Sequence, residues 1–218
     1  MSALPNIFST EKGNFQFERE LLSKGFSCVA GSDEVGRGPL AGPVVAACVT
    51  LPANCDPSPF LDSKILSHTK RLHLAKLLHR IDASIGIGIA SHRKIDSINI
   101  LQASLLAMRL AVINHSAVAC IPDFILVDGK FKIPIDIMQL SLIKGESKSA
   151  SIAAASIIAK LKRDAIMADI HHQYPHYNFA KNKGYPTKAH RAAVAEYGPC
   201  PIHRVTFKGV REFVSKAT

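Results

Sequence analysis

Short apolar runs rich in β-branched residues alternate with longer Leu- and Ala-rich runs between residues 28 and 171, and this alternation constrains the fold more than any other feature. Cys28 to Ser32 leads as a strand into a glycine-rich turn. Val44 to Leu51 (VVAACVTL) reads as a buried strand, and Ser84 to Ala90 (SIGIGIA) alternates with period two. Phe124 to Val127 (FILV) is a short strand ending in the turn dipeptide Asp128-Gly129, and Ile137 to Ile143 is a further strand candidate. Helical spacing covers Phe15 to Lys24, Ser67 to Ile81, Ile98 to His115 and Ala150 to His171. Past Tyr174-Pro175, the residues Gly184, Pro186, Gly198, Pro199 and Pro201 cut the chain into short pieces. The pattern predicts an α/β main domain over residues 1–180, with 1–27 as a lead-in helix, and a basic C-terminal extension, 181–218, packed on it. At 218 residues the chain can bury one sizeable core.

Acidic residues sit where the predicted strands end. Asp33-Glu34 closes the first strand and opens the turn through Gly36, Arg37 and Gly38; Asp128 ends another; Glu146 follows a third and precedes the long helix. In open α/β sheets ligands gather at strand ends, so carboxylates distant in sequence are expected to meet there. Adjacent residues in a strand point to opposite faces, so Asp33 and Glu34 share one site only if the strand ends or bends. Crowded carboxylates repel unless a cation neutralises them, and an all-oxygen ligand set suits Mg²⁺ or Mn²⁺ rather than zinc. Two such ions about 3.5–4 Å apart can activate a water and stabilise the departing oxygen of a phosphodiester. Taken singly, each acid reads more readily as a cap or turn residue, whereas the adjacent pair Asp33-Glu34 is harder to dismiss in that way.

Acids at a site with bases beside it are what a nuclease needs. Residues 144–218 hold 13 basic side chains against 5 acidic ones, whereas 1–143 hold 14 against 12. A basic third beside a nearly neutral body is the footprint of a phosphate-binding surface, although a solvated basic face has the same look. A non-catalytic nucleic-acid-binding module would use only this third, and clustered acids beside phosphates argue against it. Other chemistries find little support. Gly36, Gly38 and Gly42 miss dinucleotide-fingerprint spacing, and no Walker A or nucleophile-elbow sequence occurs. His172 and His176 are separated by the helix breaker Pro175. Five scattered cysteines without a C-x-x-C pair read as small buried hydrophobes in a reducing cytoplasm, and the first residues do not resemble a signal peptide. No membrane span is expected, and the default state is a monomer.

Taken in order, the segments Gly31 to Ala47 (GSDEVGRGPLAGPVVAA), Leu61 to Lys64 (LDSK), Ile125 to Gly129 (ILVDG), Ala150 to Asp164 (ASIAAASIIAKLKRD), Lys183 to His190 (KGYPTKAH) and Tyr197 to Phe207 (YGPCPIHRVTF) resemble the ribonuclease HII family. The resemblance implies a ribonuclease H-like fold: a five-stranded mixed sheet flanked by helices, with a helical C-terminal extension. It implies cleavage of RNA in RNA–DNA hybrids and incision 5′ of a single ribonucleotide in duplex DNA, leaving 3′-hydroxyl and 5′-phosphate ends. The metal-binding acids then fall on Asp33, Glu34, Asp128 and Glu146. The last departs from the family's usual Asp, keeping the charge on an arm one methylene longer. Gly36-Arg37-Gly38 resembles the family's ribonucleotide-sensing loop, and Tyr185 matches its junction-stacking tyrosine. Lys64, Lys148, Lys183 and Arg204 are candidate phosphate contacts, and Asp164 reads as a supporting carboxylate.

Overall fold

A computed structural model describes residues 14–60, 66–118 and 120–214. Five strands, β1 (Val29–Val35), β2 (Val44–Thr50), β3 (Ser84–Ala90), β4 (Phe124–Asp128) and β5 (Met138–Leu142), form one sheet in the order β3-β2-β1-β4-β5. The β1–β2 and β2–β3 pairs are antiparallel, whereas β1–β4 and β4–β5 are parallel. This is the expected five-stranded mixed sheet. The helices are α1 (Gln16–Ser23), α2 (His68–Arg80), α3 (His92–Val118), α4 (Ala150–Gln173) and the short α5 (Phe179–Asn182), α6 (Lys188–Tyr197) and α7 (Arg211–Val214).

β2 explains why the sheet is covered on both sides. Val44 to Val49 are all fully buried, with alternate residues facing opposite layers. Val45, Ala47 and Val49 meet α2 and α4, while Val44, Ala46 and Cys48 meet α3. Burying a Val side chain completely stabilises by roughly 1.5–3 kcal/mol. Helix α3 is long and apolar enough, over His92–Ala117, to span a membrane by length and composition. Its Ala103, Ala107 and Ala111 instead pack on the sheet as a core face.

Element identities match the sequence reading, and the differences are instructive. The helix expected from Ile98 begins earlier, at His92, but is interrupted at Asn99 (φ 67°). Asn99 Oδ1 then accepts from Gln102 N at 3.1 Å, capping the long segment. The cysteines were not all small buried hydrophobes. Cys28 and Cys120 form a disulfide, Cys48 is buried, and Cys55 and Cys200 are partly exposed. Ninety-two residues separate the bonded pair in sequence, but β1 and β4 are parallel neighbours, so the points where the chain enters them lie side by side. The C-terminal pieces close over α4 through Met167, Tyr177, Phe179, Ala193 and Val194.

Candidate metal centre and nucleic-acid interface

The β1–β4 register builds the centre. These strands pair up to Ser32↔Val127, so the next residues, Asp33 and Asp128, stand side by side where β4 ends. β1 itself does not end at the acids as the sequence suggested: its pairing with β2 runs on to Val35↔Val45. β4's termination opens the space. Asp128 pairs with Leu142 of β5, and four residues later Glu146 returns in a 3₁₀ turn, Gly145–Ser147. Asp128 Oδ1 accepts from Gly145 N at 2.7 Å, tying that turn to the strand end.

Helix α4 completes one wall. A Cβ on Gly31 would sit 2.2 Å from the Ser151 carbonyl carbon, so only glycine allows the helix this close to β1. Five residues along, Ser156 hydrogen-bonds the Asp33 carboxylate. Within Ala150 to Ala159, sequence pattern alone did not single out this serine among its small neighbours. Lys160, one turn further, bonds Asp164 at 2.7 Å and lines the same cavity, which measures about 570 Å³. Asp164 is therefore the partner of a cavity lysine. Arg71 and Leu66 of the α2 region also line the cavity and carried no sequence signal for it.

Carboxylate oxygens of Asp33, Asp128 and Glu146 all lie within 4.8 Å of one another. Burial, followed by the charges of Glu34, Asp128 and Glu146, pushes Asp33 well above the usual carboxylate range. This mutual repulsion is the condition a hard divalent cation relieves, and the all-oxygen donor set fits one. Glu34 lines the same cavity but stands outside the group of three. Its Oε1 accepts from Arg37 Nη1 at 3.2 Å. Burial raises Glu34 to about 7 against the lowering pull of Arg37.

Of the other predicted contacts, Arg37, Gly38, Lys148 and Tyr185 are exposed, Lys183 is partly exposed and Gly36 is buried. Tyr185 lines the acidic cavity, with its Cε1 3.6 Å from where a Gly38 Cβ would lie. Lys64 lies outside the described residues. Arg204 is corrected: it is fully buried and donates to backbone carbonyls of Gly36, Arg37 and Gly42, so its guanidinium is not presented to a phosphate. His190 and His203, also buried, share a 3.0 Å Nε2 contact, and His190 Nδ1 lies 2.8 Å from the Tyr185 carbonyl. With Nδ1–H donated to that carbonyl, His190 Nε2 accepts from His203, whose Nδ1 accepts from Cys200 N.

Comparison with known proteins agrees with this geometry. A family model described as Ribonuclease HII matches residues 30–210. The ribonuclease HII of Desulfotalea psychrophila is 60% identical over 211 residues, covering 97% of this chain and 94% of that protein. That of Geobacter metallireducens is 50% identical over 205 residues, covering 94% and 95%. The fold is similar to the crystal structure of ribonuclease H2 from Pyrococcus horikoshii OT3, with a TM-score of 0.69 at 24% identity over 87% of this chain and 98% of that one. The sheet is thus a ribonuclease H-like one, and because the family model spans residues 30–210 and relatives 50–60% identical cover nearly the whole chain, this chain belongs to the ribonuclease HII family.

Proposed function

We propose that the protein is a metal-dependent endoribonuclease that hydrolyses the RNA strand of RNA–DNA hybrids and incises duplex DNA 5′ of a single embedded ribonucleotide. The observation that carries this reading is the convergence of Asp33, Asp128 and Glu146, from three separate elements, within 4.8 Å. Asp33, Asp128 and Glu146 would hold Mg²⁺ or Mn²⁺, with Glu34 as the fourth acid lining the same cavity. When bound, two such ions supply a lowered pKa for the attacking water and charge stabilisation for the leaving oxygen. Water gives up one proton to solvent as its oxygen bonds to phosphorus, the bond from phosphorus to the 3′-oxygen breaks, and that oxygen takes up a proton from solvent. Ends of 3′-hydroxyl and 5′-phosphate result.

Recognition is assigned to the turn that follows Glu34 and to Tyr185, which lines the same cavity. Gly36-Arg37-Gly38 reads the ribose 2′-hydroxyl, the atom that separates RNA from DNA. Tyr185 packs beside the nucleotide that follows, and Lys148, Lys183 and Arg37 supply positive charge to the backbone. The test offers a duplex DNA carrying one ribonucleotide, with Mg²⁺ or Mn²⁺, beside an all-DNA duplex, and maps the cut. A single cut 5′ of the ribonucleotide, absent from the control and lost in Asp128→Asn, is expected. Salt-sensitive binding without a metal-dependent product is the signature of a binding module and overturns the assignment.

A further inference from the structure

Two fully buried guanidinium groups grip the turn from Gly36 to Pro43 from beneath, and among the described residues neither forms an ion pair. Arg163 holds the trailing half, donating from Nε to Pro43 O at 2.9 Å, from Nη2 to Ala41 O at 3.2 Å and from Nη1 to Lys183 O at 2.9 Å. Arg204 spans both halves: Nε and Nη2 donate to Gly42 O at 3.1 and 3.0 Å and Nη2 to Pro43 O at 3.4 Å, and it alone of the two reaches the leading carbonyls, from Nη2 to Gly36 O at 2.6 Å and from Nη1 to Arg37 O at 2.9 Å. Gly36, at φ 102°, accommodates the crowding, since a Cβ there would lie 2.3 Å from Arg163 Nε.

Peptide planarity turns this grip into a statement about the other side of the loop. No peptide bond among the described residues is cis, so each N–H points opposite to the carbonyl of the same plane. The Gly36 carbonyl shares its plane with Arg37 N–H, and the Arg37 carbonyl with Gly38 N–H. Both carbonyls face a fully buried guanidinium, while Arg37 and Gly38 are exposed and Gly38 lies beside Tyr185 at the acidic cavity. Two consecutive amide donors therefore face outward at the cavity rim. We propose that Arg204 is a positioning residue for sugar recognition: by holding the Gly36 and Arg37 carbonyls from the buried side, it fixes the Arg37 and Gly38 amides outward, where they donate to an oxygen of the ribose. The inference rests on the ribonucleotide-directed reading above. A lysine at 204 keeps the charge but lacks the planar fork that spans two carbonyls at once.

Binding measured in an Asp128→Asn parent with Mg²⁺ separates positioning from stability. The readout is the ratio of dissociation constants for an all-DNA duplex and the same duplex with one ribonucleotide. Adding Arg204→Lys is expected to reduce that ratio at least tenfold. Arg163→Lys, which removes bonds to the Pro43, Ala41 and Lys183 carbonyls and none to those of Gly36 or Arg37, is expected to lower the melting temperature while leaving the ratio within twofold. An undiminished ratio in Arg204→Lys, or an equal collapse in Arg163→Lys, overturns the proposal. A parent with no preference for the ribonucleotide instead sinks the functional reading on which it rests. Should Arg204→Lys fail to fold, amide hydrogen exchange in the parent decides. Arg37 and Gly38 amides are expected to exchange freely and to become protected by the ribonucleotide duplex only; protection already present in the free protein overturns the proposal.

Discussion

Replacing Asp128 by Asn tests whether the acids are held together against their own repulsion. Asn keeps the shape, and its Oδ1 can still accept from Gly145 N, so the 3₁₀ turn stays tied to β4. What disappears is one negative charge. At 4.8 Å, the outer limit of the cluster, two full charges repel by about 3.5 kcal/mol at an effective dielectric constant of about 20. Asp33 retains its proton well above the ordinary range, and solvent in the cavity screens the rest, which leaves about 1–2 kcal/mol to be recovered by the substitution. For a chain of this length that is a rise in melting temperature of roughly 2–8 °C in EDTA. With divalent metal the order reverses. At about 100 times its dissociation constant, an ion stabilises the native protein by about 2.7 kcal/mol, and the variant forgoes most of that. Differential scanning calorimetry in EDTA and in saturating Mg²⁺ reads both numbers. A variant less stable than the native protein in EDTA, or one that gains as much from Mg²⁺, refutes the reasoning.

Other perturbations probe the remaining walls and the acid limb. Glu146→Gln should lower kcat at least 100-fold while duplex binding changes less than twofold, as single-turnover assays and anisotropy will read. Gly31→Ala drives a methyl into α4 at Ser151 and should cost about 1–3 kcal/mol, measured by urea unfolding, together with weaker Mn²⁺ binding as Ser156 shifts from Asp33. Lys148→Ala should reduce the salt slope of duplex binding by about one, uniformly across sequences. Burial holds His203 down at about 4, against about 6.5 in an unfolded chain, so the unfolded state binds more protons between those values. The stability it contributes, about 3 kcal/mol, is complete above about pH 6.5 and is lost as pH falls toward 4. Asp33, raised chiefly by burial and then by like charge, acts with the opposite sign, so the His203 effect is read as the difference in the pH dependence of the melting temperature between the native protein and His203→Gln.

What the sequence revealed and what it hid have separate causes. The end of β4 was legible because an acid closing an apolar run breaks a pattern, as Asp128 does after FILV; β1 runs on through Asp33 to Val35, because its pairing with β2 continues past the acids, and Glu146 lies four residues beyond the end of β5. The five strands were legible through runs such as VVAACVTL and SIGIGIA. Arg204 was misplaced because a basic residue in a basic segment has the same signature whether it faces phosphate or a ring of buried carbonyls; only the tertiary fold tells them apart. Ser156 and Gly31 were missed because their roles depend on how closely α4 lies against β1, a packing distance with no one-dimensional pattern. The Cys28–Cys120 bond was hidden by 92 residues of separation that the parallel pairing of β1 and β4 erases.

The most direct measurement is anomalous diffraction from crystals soaked in Mn²⁺. A strong peak enclosed by the carboxylates of Asp33, Asp128 and Glu146, lost in crystals of Asp128→Asn, is the expected result. Crystals that saturate with Mn²⁺ elsewhere and leave that pocket without a peak contradict the claim that these three side chains form a cation site.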